Sequence, residues 1–234
     1  MSFLPPLQPQ QQRKSLGDQI YESIRDNIVS LRLEPGSMIY ENELAEALSV
    51  SRTPIREAIR LLVSEQLLDV LPQRGTRIAL ISERKVSEAR FIREHLELGA
   101  FRLAANKWNE EDRTAANTTL VQLMEQQQAA SNEGDIARFL QLDESFHRVV
   151  LEVTGNDTLL QMVYHMRAHL NRARYLAIMQ FGHTNQVIEE HRHLYEALKQ
   201  GDEALTAELL QSHIGKLDRE LPELRSLNPQ YFMD

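Results

Sequence analysis

The chain has 234 residues, 42% of them hydrophobic, with 26 Lys/Arg against 34 Asp/Glu and no cysteine. That length can bury one large core or two modest ones, and the lack of thiols excludes disulfide frameworks, cysteine nucleophiles and thiolate metal sites, so any metal must be held by His and carboxylate. The net charge of −8 would argue against a polyanionic partner if it were evenly spread, but residues 1–81 carry 9 basic against 10 acidic side chains, the remainder 17 against 24, and all eight histidines lie beyond residue 81.

The opening MSFLPPLQPQQQRKS has no apolar run long enough for a signal peptide or a membrane span, which predicts a cytoplasmic protein with no membrane partner, and its Pro and Gln content predicts a flexible arm. A helix is expected over about 16–31, where Ile20, Ile24 and Ile28 recur at i+4, with Glu34-Pro35-Gly36 as its stop. A shorter helix over 41–48 places Leu44 and Leu48 on one face, and Ser49-Val50-Ser51 is a short turn into a third helix. In that third helix, at about 100° per residue, Ile55, Ala58, Ile59 and Leu62 fall together while Arg52, Thr53, Arg56 and Arg60 occupy a separate arc. Ser51 or Thr53 can cap it, and Pro54 is tolerated because first-turn N–H groups have no intrahelical partner. One side packs and the other can meet a polyanion, as a recognition helix does in the major groove, although a solvated basic face would show the same pattern. Two β-rich runs then flank Pro72-Gln73-Arg74-Gly75, which predicts a hairpin wing with Arg74 at a tip able to reach phosphate or the minor groove.

Beyond a boundary at 81/82 the pattern is helical throughout, over about 83–106, 109–132, 134–153, 156–180, 185–200 and 202–222, with breaks of turn chemistry at Gly134, Gly155, Gly182 and Gly201. The expected fold is therefore mainly α: residues 1–81 as an N-terminal winged helix-turn-helix of three helices plus a β-hairpin wing, and residues 82–234 as a C-terminal antiparallel all-α bundle of about six helices. Gln126-Gln127-Gln128 is expected on an exposed helix end.

Several polar residues fall on stripes that should be dry. Arg93 interrupts the stripe Val86, Ala89, Leu96, Ala100, Leu103, and a buried guanidinium needs an anionic partner, either a bundle carboxylate such as Glu97 or the carboxylate of a ligand. Asp143 and His147 stand at i and i+4 on one face and can share an ion; His191 and His213 lie on the apolar stripes of two further helices. Three helices each point metal-type ligands inward. His193 is expected at the surface, and His169, on an apolar stripe, is a candidate pocket-lining residue.

The residues of the first part, from Leu31, Glu34-Pro35-Gly36 and Glu43-Leu44-Ala45 through Ser51-Arg52-Thr53-Pro54-Ile55-Arg56-Glu57-Ala58 to Pro72-Gln73-Arg74-Gly75, resemble the winged helix-turn-helix of GntR-family bacterial transcription regulators. The resemblance implies a transcription regulator, read as a repressor, that binds a palindromic double-stranded DNA operator as a homodimer, with Arg52, Thr53 and Arg56 at bases and phosphates and Arg74-Gly75 at the minor groove. Asn42 departs from the arginine some members carry at the start of the second helix.

The second part resembles the FCD ligand-sensing domain of the FadR-type branch, through Ile92-Arg93-Glu94-His95-Leu96-Glu97, Leu142-Asp143-Glu144-Ser145-Phe146-His147, Thr154-Gly155-Asn156, Glu190-His191-Arg192 and Gln211-Ser212-His213. That resemblance implies that Asp143, His147, His191 and His213 bind a divalent metal ion, zinc or nickel, and that a small organic or sugar acid completes its coordination with help from Arg93. Two alternatives share these residues: a regulator sensing the metal itself, and a metal-dependent enzyme. Against the enzyme, four protein ligands leave little open coordination, and no base or nucleophile stands at motif spacing. The link at 81–83 is the expected hinge between sensing and DNA binding.

Overall fold

Helix α1 (Leu16–Val29) begins at a capping box, in which Asp18 N–H donates to Ser15 Oγ and Ser15 N–H to the Asp18 carboxylate, each at 3.0 Å. This computed structural model describes residues 15–108 and 113–233, so the arm expected at the N-terminus lies outside the described residues. Helix α1 closes at Ser30, earlier than its apolar repeat suggests, because Leu31 takes a left-handed conformation (φ 54°) that turns the chain away.

A short strand β1 (Met38–Ile39) follows, then α2 (Glu41–Ala47), α3 (Arg52–Ser64), and strands β2 (Leu68–Leu71) and β3 (Gly75–Ile78). The hairpin is as expected, but β1 adds to it: among the described residues the sheet is three-stranded and antiparallel in the order β1-β3-β2, with Met38 opposite Arg77 and Ile39 opposite Thr76. A two-residue strand carries no readable period-2 signal, and only its partner reveals it. At the wing tip Gly75 has φ 107°, and a Cβ there would crowd the Met38 and Tyr40 side chains at 3.3 Å, so the tip needs glycine.

Ile20, Ile24 and Ile28 of α1 pack on Ile55, Ala58, Ile59 and Leu62 of α3 and on Leu67, Leu68 and Ile78. Burying Ile55, Ile59 and Leu62 stabilises the fold by about 1.5–3 kcal/mol each, which sets the rotation of α3 and turns its basic arc outward.

Six helices are described beyond the wing: α4 (Glu83–Asn106), α5 (Thr114–Glu133), α6 (Ile136–Glu152), α7 (Asp157–Phe181), α8 (Thr184–Gln200) and α9 (Glu203–Leu227), with a 3-10 turn at Pro229–Tyr231. Gly134, Gly182 and Gly201 end α5, α7 and α8 in left-handed caps, and the side chains of Asp135, Asn156 and Asp202 cap the starts of α6, α7 and α9. Their main core joins Phe101, Leu120, Phe146, Val150, Leu194 and Leu210. Helix α9 runs through Pro222, where a stop was expected. The proline costs one hydrogen bond, about 3 kcal/mol in a helix interior, and burial of Leu221 and Leu224 offsets it. Among the described residues no helix is long and apolar enough to cross a membrane.

The two halves are packed together through α7. Ala168 enters the core of the winged half, Arg25 lies 5.0 Å over the Tyr164 ring, and His169 Nε2 donates to the Glu65 carbonyl at 2.8 Å. The link expected to act as a hinge is tied down on both sides. Arg172 Nη1 donates to Ala79 O at 2.6 Å and Nη2 to Leu80 O at 3.5 Å, while buried Ile81 exchanges backbone hydrogen bonds with Tyr231 O and Met233 N. Any rearrangement of the halves has to break these bonds or carry them along.

Candidate functional site

The basic arc of α3 is exposed at Arg52, Thr53, Arg56 and Arg60. Ser51 occupies the N-cap position without making a side-chain cap bond, contrary to the capping role expected of Ser51 or Thr53. The first-turn N–H groups are thus left for an anion such as phosphate. Arg56 Nε pairs with Glu41 Oε2 of α2 at 2.8 Å, an exposed contact worth less than about 1 kcal/mol and therefore exchangeable. Arg74 and Gly75 are exposed at the wing tip, and Asn42 is exposed near the start of α2.

Inside the bundle the tertiary fold brings four residues of three helices together. Asp143 and His147 come from α6, His191 from α8 and His213 from α9. One ligand atom of each lies within 4.8 Å of the others, and all four residues are buried. His193, by contrast, is 61% exposed beside Glu189.

The groups behind the cluster fix its tautomers. His213 Nδ1 donates to Glu190 Oε2 at 2.7 Å, His191 Nδ1 to Gln127 Oε1 at 3.0 Å, and His147 Nδ1 stands 2.7 Å from Glu97 Oε2. Nδ1 of His191 and of His213 donates to an oxygen and Nδ1 of His147 faces a carboxylate oxygen, so each ring presents Nε2 to the cluster. His147 Nε2 and His213 Nε2 then face each other at 3.2 Å, and His191 Nε2 is buried with no hydrogen-bond partner among the described residues. Two bare lone pairs at that separation repel, so the contact calls for a proton or a cation between the nitrogens.

Electrostatics point the same way. Burial pushes the His147 imidazolium down to about 4, against the pull of Glu97, and burial likewise lowers His191, so both rings are neutral at pH 7. Burial works against ionising Asp143, but Arg174 and the three histidines hold its carboxyl well below the usual range. Glu97 is held low in the same sense, because Arg93 and His147 outweigh its burial. A donor set of three imidazoles and one carboxylate, neutral rings and a pinned second layer fit a divalent ion of the zinc or nickel type.

Arg93 has its bundle partner: its Nε donates to Glu97 Oε1 at 2.8 Å, forming a chain Arg93, Glu97, His147. It also borders a cavity with about 570 Å³ of empty space, partly open to solvent, that reaches the cluster at His213. His169 does not line this cavity, contrary to expectation. Both its ring nitrogens are engaged at the junction of the halves, by Glu65 O and by Arg172 at 3.2 Å, and its apolar stripe is buried against the winged core instead.

Sequence reasoning passed over three residues of the site. Gln127 was expected on an exposed helix end, yet it is fully buried and holds His191; with Leu120, Met124 and Ala130 on the buried side of α5, its spacing could have shown this. Arg174 interrupts the stripe Leu170, Ala173, Ala177 of α7 as Arg93 interrupts that of α4, and it stands 2.7 Å from Asp143 Oδ2. Glu190 looks like an ordinary surface carboxylate until α8 and α9 pack together.

Residues 16–78 match the family described as bacterial regulatory proteins, gntR family, and residues 88–216 match the FCD domain. The chain is 30% identical over 213 residues to an uncharacterized HTH-type transcriptional regulator of Streptomyces ambofaciens, covering 91% of this chain and 88% of that one. It is 26% identical over 231 residues to the HTH-type transcriptional repressor RspR of Escherichia coli K12, covering 99% and 97%. Among solved structures it resembles McbR/YncC of E. coli with a TM-score of 0.75 at 25% identity, covering 89% of this chain and 99% of that one.

Proposed function

The chain belongs to the GntR family of bacterial regulatory proteins and is a DNA-binding transcription regulator with an FCD domain, not an enzyme; from that premise we propose that a small carboxylate, bound at a divalent metal site in the bundle, sets its affinity for its operator. In this reading residues 1–81 contact DNA and residues 82–234 sense the acid. Asp143, His147, His191 and His213 would hold the metal, and when bound it would supply a Lewis-acidic position for a carboxylate oxygen. The observation that carries the proposal is the convergence of three imidazoles and an ionised Asp143 beside a cavity that His213 and two arginines line.

The chain's own residues do the rest. Gln127, Glu97 and Glu190 hold the rings in place, and Arg93 keeps Glu97 ionised beside His147. Arg174 steadies Asp143 from the cavity side. Helix α7 carries Arg174 at the cluster and, two and five residues earlier, Arg172 and His169 on the winged half, so a shift of α7 reaches both sites. Arg52, Thr53 and Arg56 would read the major groove, with Arg74-Gly75 at the minor groove. A homodimer on a palindromic operator is part of the proposal. Exposed Phe91, Ile92 and Leu103 on α4 support a self-association face, and the name of the relative RspR supports repression.

The test is linkage. An acid that raises or lowers operator affinity must have its own affinity changed by operator DNA by the same factor. Operator binding is measured by fluorescence anisotropy with metal alone, with a panel of small carboxylic acids alone, and with both. An effect of the acids that requires the metal supports the proposal. An effect of metal alone reassigns the site to metal sensing, and no acid effect in any arm refutes the carboxylate reading.

A further inference from the structure

The cavity that reaches the cluster at His213 is lined by two arginines, by aliphatic side chains and by a set of other polar side chains. Of the arginines, Arg93 is already committed to Glu97. Arg174 is only half committed: Nη2 stands 2.7 Å from Asp143 Oδ2, while Nη1 is buried with no hydrogen-bond partner among the described residues. That N–H is a charged donor suited to an oxyanion. Leu170, Ala177, Ile178, Val187, Ile214 and Leu217 make up an aliphatic belt in its wall, and their side chains offer neither donor nor acceptor.

The rest of the lining is polar, and its groups contact one another or their neighbours. Lys216 donates to Gln186 Oε1 at 2.8 Å, Glu190 accepts from His213 and from Gln186, and His183 stands 3.4 Å from Glu220. Its charges are of both signs, with Lys216 and His183 beside Glu190 and Glu220.

We infer that the effector is a short aliphatic monocarboxylate, with its oxyanion on Arg174 Nη1 at the edge of the cluster and its hydrocarbon body along the aliphatic belt. The inference rests on the carboxylate reading above and narrows it. A polyhydroxylated acid of equal length would bring hydroxyls into a belt that cannot replace the water they lose, and an apolar pocket disfavours an added hydroxyl by up to about 100-fold. A dicarboxylate would leave its second charge against the aliphatic carbon of the belt unless it reached Lys216, which stands among Glu190 and Glu220.

The experiment is isothermal titration of the full chain, at saturating zinc, with butanoate, pentanoate and hexanoate, each paired with the dicarboxylate and the polyhydroxy acid of the same length. At least one aliphatic acid should bind ten-fold or more tightly than both of its counterparts. Arg174→Gln should weaken that acid at least ten-fold. Val187→Thr, nearly isosteric, should raise the affinity of the polyhydroxy acid relative to the aliphatic one. A polyhydroxy or dicarboxylic acid that binds as tightly as its aliphatic counterpart overturns this inference and leaves the carboxylate reading standing. Unchanged aliphatic binding in Arg174→Gln, or an unchanged ratio in Val187→Thr, likewise overturns it. No binding by any of the acids overturns both.

Discussion

Replacing Gln127 by Leu should weaken the metal site without removing any ligand. Gln127 Oε1 accepts the His191 Nδ1 proton at 3.0 Å inside a fully buried environment, and with that acceptor gone the ring is free to take the other tautomer, which presents N–H instead of a lone pair to the cluster. Loss of such a partner typically costs 10–100-fold in metal affinity, or about 1.4–2.7 kcal/mol. At a zinc concentration about 1,000 times the wild-type Kd, metal binding stabilises the native state by about 4 kcal/mol, and at about 2–4 °C per kcal/mol for a chain of this size the melting temperature should rise by about 8–16 °C. In Gln127→Leu the same zinc should give a rise of about 3–11 °C. His191→Ala should lose most of the rise, and His193→Ala, which alters an exposed ring, should lose none. The assay is calorimetric melting of chelator-stripped protein with and without zinc, backed by elemental analysis. Equal rises in wild type, Gln127→Leu and His191→Ala would refute the tautomer argument and the site with it.

Three further outcomes are expected. Arg56→Ala should weaken operator binding by about 1–3 kcal/mol and relax preference at one base, whereas Glu41→Gln, which frees Arg56 from its pair, should strengthen binding by less than about 1 kcal/mol; anisotropy titrations over a salt series check both, and wild-type affinity in Arg56→Ala would reassign α3 to a solvated basic face. Arg172→Met should destabilise the chain by about 1–3 kcal/mol for each carbonyl left unpaired and speed amide exchange at Ile81 and Met233, because it releases Ala79 O and Leu80 O; unchanged exchange there means the link is held by other contacts. Burial and then Arg172 push the His169 imidazolium down to about 4. Its folded pKa is below its unfolded value, so it contributes stability that is present above about pH 6.5 and lost as pH falls toward 4, up to about 3 kcal/mol. Denaturant melts of His169→Gln should therefore show a shallower loss of stability across that window than wild type, and parallel profiles would count against the argument.

What the sequence by itself determined is whatever is written in local period and spacing. The apolar stripes of α1 and α3 identify both helices and their buried faces, because 3.6-residue geometry leaves one solution for Ile55, Ala58, Ile59 and Leu62. Turn glycines mark the ends of α5, α7 and α8, and the i, i+4 spacing of Asp143 and His147 puts them on one face before any fold is known. Tertiary structure alone decided how separate helices meet. Whether Arg93 is answered by Glu97 or by a ligand depends on rotamers and neighbours that spacing does not encode. The burial of Gln127 depends on α5 packing against α8, and Glu190 becomes a support for His213 only where α8 lies on α9. His169 was displaced from the pocket because α7 is long enough to serve two neighbours, with Arg174 at the cluster and His169 and Arg172 against the winged half. The 81–83 link reads as a hinge in sequence because it is short and lies between two patterns. It is pinned because a buried arginine of α7 and the C-terminal Tyr231–Met233 segment take up its backbone hydrogen bonds, and hydrogen bonds between positions some 90 to 150 residues apart leave no trace in a local pattern.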